Sequence, residues 1–183
     1  MIIILFGAPG VGKGTQAQIL ADNLGIAHLS TGDAFRAAIK GSTEVGLIAK
    51  QYVDSGRLVP DDVTARIVEE AMANPNCANG VILDGFPRTQ TQATALESIL
   101  AKIGTVIHKV VNLDVDNDTI VQRLLARGRA DDTEEVIKNR LSVYHQETAP
   151  LIEHFTKLGI LEHVNGVGTI TDVSQRILSA VKP

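Results

Sequence analysis

What the sequence has little of narrows the reading first. Among 183 residues there is one cysteine, Cys77, so no disulfide can close within the chain, which fits a reducing compartment. Tryptophan is absent, and four Phe and two Tyr are the only aromatic residues, so the core must be built from Ile, Leu, Val and Ala. Basic charge is scarce too: 17 Lys and Arg stand against 21 Asp and Glu, a net charge of −4. That balance argues against a nucleic-acid-binding surface. No apolar run approaches the roughly 20 residues that a membrane span needs. The opening run, Ile2-Ile3-Ile4-Leu5-Phe6, has no basic leader and passes straight into glycines, as a buried first strand does and a secretory signal does not. A cytoplasmic protein is expected. His28, His108, His145, His154 and His163 are scattered without metal-ligand spacing. With no repeat and no long Gly/Ser/Pro linker, one domain with a small insertion is the expected organisation.

What is present alternates. Short β-rich apolar runs at residues 2–6, 26–29, 81–84, 106–113 and 160–164 are separated by helical stretches at 13–24, 61–72, 90–99, 118–127, 133–157 and 171–181. Such alternation predicts an α/β fold, a parallel five-stranded sheet with helices on both faces. Residues 30–59 break the pattern and read as a small helical subdomain, interrupted at Gly41 and Gly46.

Gly7-Ala8-Pro9-Gly10-Val11-Gly12-Lys13-Gly14-Thr15 follows the first strand and opens the first helix, the context a phosphate-binding loop requires. Glycines let the backbone curl so that successive N–H groups point at one anion; the helix N-terminus and Lys13 add positive charge. The plain alternative is a glycine-rich turn without a ligand, which the Gly-Lys pair at this spacing disfavours. A P-loop commonly carries Ser or Thr directly after the lysine to bind Mg²⁺. Here Gly14 stands there, so no direct protein ligand to the metal is expected. Asp84 ends the apolar run Val81-Ile82-Leu83, which places a carboxylate at the carboxyl edge of the sheet. Alone it would be read as a helix cap or an ion pair with Lys13. Six of nine arginines (Arg36, Arg88, Arg123, Arg127, Arg129 and Arg140) fall within a few short segments. An acidic protein that gathers guanidinium groups this way is suited to a compact polyanion.

The loop resembles that of the nucleoside monophosphate kinases, Gly-x-Pro-Gly-x-Gly-Lys-Gly-Thr. Further blocks follow in family order: Leu29-Ser30-Thr31-Gly32-Asp33 continuing to Arg36, then Leu83-Asp84-Gly85-Phe86-Pro87-Arg88 with Gln92, then Arg123, Arg127, Arg129, Asp131, Asp132 and Arg140. The likeness covers most of the chain. Within the family, Thr31 and Gln92 resemble the adenylate kinases, whereas pyrimidine-specific relatives tend to have alanine and asparagine there.

The resemblance implies phosphoryl transfer from Mg·ATP to AMP, giving two ADP, by a P-loop NTPase-type fold. It implies Gly10, Val11, Gly12, Lys13, Gly14, Thr15, Arg123, Arg127 and Gly168 as the ATP side. Thr31, Arg36, Arg57, Leu58, Val59, Gly85, Phe86, Pro87, Arg88, Gln92, Arg129 and Arg140 form the AMP side. It implies catalytic roles for Lys13, Arg88, Arg123, Arg129 and Arg140, and an outer role for Asp84, orienting water on Mg²⁺. Arginine suits phosphate because its planar fork makes two parallel hydrogen bonds; each arginine taken alone could equally be a surface residue. Asp131 and Asp132 would hold the arginines, or favour a helix N-terminus, or both. Only residues 126–132 remain where long-lid relatives carry their lid, so water exclusion would fall to residues 30–59. A monomer with no nucleic-acid or membrane partner is implied. Two readings stay open beside this one: a pyrimidine or broad-specificity monophosphate kinase, and a P-loop nucleotide-dependent switch or inactive relative.

Overall fold

A computed structural model of the chain describes residues 1–182. Its centre is a sheet of five parallel strands: β1 (Ile2–Phe6), β2 (Ala27–Ser30), β3 (Val81–Asp84), β4 (Lys109–Asp114) and β5 (Leu161–Asn165), in the order β2-β3-β1-β4-β5. The helices are α1 (Lys13–Leu24), α2 (Thr31–Lys40), α3 (Glu44–Asp54), α4 (Asp61–Met72), α5 (Gln90–Lys102), α6 (Asn117–Arg127), α7 (Glu134–Val143), α8 (Pro150–Lys157) and α9 (Ile170–Val181). None is long and apolar enough to cross a membrane.

The uninterrupted apolar β1 follows from burial on both faces. Ile3 and Leu5 pack with α1 and α9 through Ala17, Leu20, Val173 and Ile177. Ile2, Ile4 and Phe6 pack on the opposite face with Val68 of α4, Leu96 and Leu100 of α5, and Phe155 of α8. With so few aromatics, the edge-on pair of Phe6 and Phe155, 5.9 Å between ring centroids, is the only Phe–Phe contact among the described residues. The helix after β1, α1, packs on one face of the sheet and the helix after its neighbour β3, α5, on the other, so the chain leaves these two adjacent strands in opposite directions. The crevice at its carboxyl end is where open α/β sheets bind ligands.

Residues 30–59 carry two helices, α2 and α3, around a small core of Phe35, Ala49 and Val59. Gly41 ends α2 as expected, but Gly46 does not interrupt anything. It lies inside α3, where a Cβ would overlap the Ala38 carbonyl of α2. The glycine is there for close helix approach, not for a break.

Other expected boundaries shift for identifiable reasons. β2 begins at Ala27 because the Ile26 N–H closes the end of α1 on Ala21 O, 3.2 Å. β4 begins at Lys109, not 106, because the His108 ring intervenes: its Nδ1 accepts the Ile2 N–H at 3.0 Å. The single helix expected over 133–157 is in fact α7, a π-helical turn (Tyr144–Thr148) and α8, with Pro150 opening the last piece.

Candidate active site

The loop after β1 curls as its glycines permit. Gly10 has φ 90°, and a Cβ on it would stand 2.7 Å from Leu124 Cγ, so both conformation and space demand glycine. The first turn of α1 has no side-chain cap and no acidic residue. Its N–H groups therefore face the crevice without an intramolecular partner, the arrangement that binds anions. Lys13 folds back over the loop, its Nζ donating to Gly7 O (2.7 Å) and Ala8 O (2.9 Å). Burial pulls its pKa down to about 8; Asp84 opposes this, and Arg88, Arg140 and Arg127 add to it.

Asp84 ends β3 and is buried. Its partner is not Lys13 but His28, 3.8 Å away on β2. Burial pushes the Asp84 carboxyl up, but His28, Lys13 and Arg88 together hold it below the ordinary carboxylate range. Beside it, the Thr31 hydroxyl donates to Gly85 O (2.9 Å), and Arg88 Nε donates to the same oxygen (2.8 Å). The Arg88 guanidinium is thereby tethered at one nitrogen. Burial lowers its pKa, Asp84 works against that, and Arg140 and Arg36 reinforce it.

Gln92, fully buried on the first turn of α5, accepts the Arg88 N–H at its Oε1 (2.7 Å) and donates from Nε2 to Asp61 Oδ1 (2.8 Å). Across the cleft, Arg36 pairs with Asp33 at 2.6 Å. Arg57 lies over the Tyr52 ring, 5.0 Å from its centroid, and so is held by its own subdomain. Leu58 and Val59 also line the cleft.

Between α6 and α7 the chain is short, and its acids organise the arginines. Asp132 is gripped by a two-pronged Arg127 pair, Nε to Oδ2 at 2.9 Å and Nη2 to Oδ1 at 2.6 Å, and it accepts the Arg129 N–H at 3.1 Å. Burial pushes its carboxyl up, but these donors outweigh burial and hold it below the usual range. Arg140 donates to Asp131 at 2.8 Å and approaches Asp132 at 3.5 Å. Arg123 bridges the P-loop at Val11 O (3.1 Å) and the loop before α9 at Gly166 O (3.2 Å).

These groups surround one cleft of about 550 Å³. Of the sequence-predicted residues it brings together Gly10, Gly12, Lys13, Gly14, Thr15, Thr31, Arg36, Arg57, Leu58, Val59, Asp84, Gly85, Phe86, Pro87, Arg88, Gln92, Arg123, Arg127, Arg129 and Arg140. Val11 and Gly168 do not line it. The Val11 side chain is in the core, and Gly168 packs against Asp172 and Arg176 at the start of α9. Sequence reasoning placed Asp33 in the block leading to Arg36 but gave it no role, and it missed His28, Asp61 and Asn139, the last of which donates from Nδ2 to Ser55 O (2.5 Å) and joins α7 to the helical subdomain. For Asp61 a faint signal existed, since it follows Pro60 at a helix start; His28 and Asn139 carry none.

The comparisons agree with this geometry. The family model described as adenylate kinase matches residues 5–160. A protein of Nocardia farcinica named adenylate kinase is 50% identical over 181 residues, covering 99% of both chains. One of Corynebacterium glutamicum with the same name shows 50% identity and the same coverage. Another, from Micrococcus luteus, is 48% identical over 98% of this chain and 89% of its own. A parallel sheet with a glycine loop at its central strand, an arginine-lined cleft at that strand's end and these full-length likenesses place the chain in the adenylate kinase family.

Proposed function

We propose that the chain catalyses reversible transfer of the terminal phosphoryl group of Mg·ATP to AMP, giving two ADP, by direct in-line attack without a phosphoenzyme. The observation that carries this reading is the cationic cleft. Lys13, Arg88, Arg129 and Arg140 all have pKa values lowered by burial, and in each case neighbouring cations add to the effect. Positive groups crowded and desolvated in this way gain from a polyanion at their centre. Two nucleotides meeting phosphate to phosphate supply one.

On the ATP side, Lys13 and the N–H groups of Gly10, Gly12, Gly14 and Thr15 hold the phosphates, while the Val11 N–H turns to Ala8 O at 3.4 Å, so that Val11 serves the site by shaping the loop. Arg123 and Arg127 meet the phosphates and the ribose. The loop containing Gly168 borders the adenine, and Arg123 ties that loop to the P-loop. On the AMP side, Arg36 and Arg88 fork onto the phosphate. Thr31, Leu58, Val59 and the backbone at Arg57 and at Gly85, Phe86 and Pro87 shape the pocket, and Gln92 faces the base. Arg129 and Arg140 stand between the two and neutralise charge as it spreads over the transferring group.

The donor set fits Mg²⁺. Gly14 replaces the customary hydroxyl residue, and a Cβ on it would stand 3.5 Å from Asp84 Oδ2. One buried carboxylate beside the phosphate site suits a hard dication that takes most of its oxygen ligands from phosphates and water. Bound with ATP, Mg²⁺ supplies charge neutralisation, and Asp84 orients its waters. The acceptor phosphate is already ionised near neutral pH, so no side chain need act as base. Residues 30–59 act as the monophosphate-binding arm and 126–132 as a minimal lid. Every group named comes from one chain, so a monomer suffices.

The test is to incubate the protein with Mg·ATP and each of AMP, GMP, CMP and UMP, then separate the nucleotides. ADP formed with AMP, two per ATP consumed, and reduced at least 100-fold by Lys13→Ala or Arg88→Ala, is the expected result. Diphosphates from CMP or UMP would move the reading to the pyrimidine branch. No transfer to any acceptor would overturn it in favour of a switch.

A further inference from the structure

Gln92 is held at both ends of its carboxamide, and the two holders have fixed, opposite polarity. The Arg88 N–H can only donate, and it meets Oε1 at 2.7 Å. The Asp61 carboxylate can only accept, and it meets Nε2 at 2.8 Å. Thr89 completes the chain. Its hydroxyl hydrogen goes to Asp61 Oδ2 (3.0 Å), while its oxygen accepts the Gln92 N–H (3.1 Å) and caps α5. Each donor in this network has one acceptor it must choose, so the amide cannot turn over without setting N–H against N–H at Arg88 and oxygen against oxygen at Asp61. One lone pair on Oε1 and one hydrogen on Nε2 remain uncommitted. Their polarity matches a 6-aminopurine, which offers an amino hydrogen and a ring-nitrogen acceptor. It opposes a 6-oxopurine, which offers the reverse.

We infer that Asp61 is a positioning residue that selects the acceptor base by fixing which way the Gln92 amide points. This rests on the proposal that Gln92 faces the base of the monophosphate. Asp61 is the first residue of α4 and is not among the residues lining the cleft, so it acts through Gln92 and not on the nucleotide. An acid at a helix N-terminus is commonplace. What sets this one apart is its bond to a fully buried amide that does line the cleft.

The test compares AMP with IMP, which differs from AMP only at that edge, as acceptors for the wild type, Asp61→Asn and Asp61→Glu. Asparagine keeps the size but can donate as well as accept, so one of the two locks opens. The expected result for Asp61→Asn is a fall of about tenfold in the AMP-to-IMP ratio of kcat/KM, the effect of relieving one mispaired hydrogen bond. IMP should improve in absolute terms and KM for ATP should stay put. Asp61→Glu keeps an acceptor-only group and should retain the wild-type ratio. Equal losses with both acceptors in Asp61→Asn, leaving the ratio unchanged, would mean that Asp61 merely supports the fold and would overturn the inference alone. A wild type that phosphorylates neither acceptor would overturn it together with the kinase reading.

Discussion

Lys13 is placed where its charge is costly to the protein by itself, and that cost can be measured without nucleotide. With its pKa lowered from 10.5 to about 8, the folded chain holds fewer protons than the unfolded one between those values. The sign follows: a base whose folded pKa is depressed destabilises the fold below pH 8, and stability is regained as pH rises from 8 towards 10.5. At about 1.4 kcal/mol per unit, the gain between pH 7 and pH 10 is about 2.5 kcal/mol. For a domain of this size that is roughly 5–10 °C in Tm. The perturbation is Lys13→Met, which removes the titrating group and keeps most of the length. Its lost bonds to Gly7 O and Ala8 O shift stability equally at every pH and cancel in the comparison. Thermal unfolding of both proteins across pH 7–10 should show the wild type gaining on the variant by that amount. A difference that stays flat, or moves the other way, would refute the claim that burial and neighbouring arginines depress this lysine. The same proton must return when phosphate arrives, so calorimetry in buffers of unequal ionisation enthalpy at pH 9 should detect uptake of nearly one proton on ATP binding.

Asp132→Asn should lower stability at pH 7 by about 2 kcal/mol, because it breaks the two-pronged Arg127 pair. Since the folded pKa of Asp132 is depressed, its contribution is present above the unfolded carboxylate pKa and is lost as pH falls through the folded one; chemical denaturation should show the gap closing in acid. Gly46→Ala, which in a free helix would stabilise by about 1 kcal/mol, should destabilise by about 1–3 kcal/mol as the methyl overlaps Ala38; a rise in Tm would count against the close α2–α3 packing. Asn139→Ala removes the bond from α7 to Ser55 O. It should raise KM for AMP about fivefold, the worth of about 1 kcal/mol, and increase ATP hydrolysis with AMP bound, while KM for ATP holds; steady-state kinetics with a phosphate-release assay would read all three.

Those elements that depend on local pattern were legible from the sequence. β1 announces itself because a strand buried on both faces needs no alternation, and the glycine loop after it can serve only a tight strand-to-helix turn. The divided helix was not legible. The apolar positions continue from α7 into α8, and Pro150 is tolerated at a first helical position. Nothing local marks the π-helical turn at Tyr144–Thr148. The start of β4 was hidden for a different reason, since a side chain more than a hundred positions away takes the Ile2 N–H.

The site divides along the same line. Residue types that meet an anion could be read because phosphate chemistry restricts them to lysine, arginine and backbone N–H at fixed spacing. Residues that hold those groups were legible only as an open choice, as at Asp131 and Asp132, or not at all, as at Asp61, because a carboxylate bracing an arginine and one decorating a helix start are the same letter. Asp132 and Asp61 both stand at or near helix starts, yet one orders a cluster of guanidinium groups and the other orients an amide. Only the pairing distances separate these roles from ordinary helix-terminus acids. The arginines themselves supply the reason that such braces are needed. Cations brought this close repel one another, and Asp33, Asp131 and Asp132, paired with Arg36, Arg140 and Arg127, keep these three from relaxing towards solvent. The acids hold the charges in place without emptying the cleft of positive charge: burial first, with neighbouring cations adding to it, keeps Lys13, Arg88, Arg129 and Arg140 below their ordinary pKa values. That residual excess of positive charge is what a phosphate in transfer would relieve.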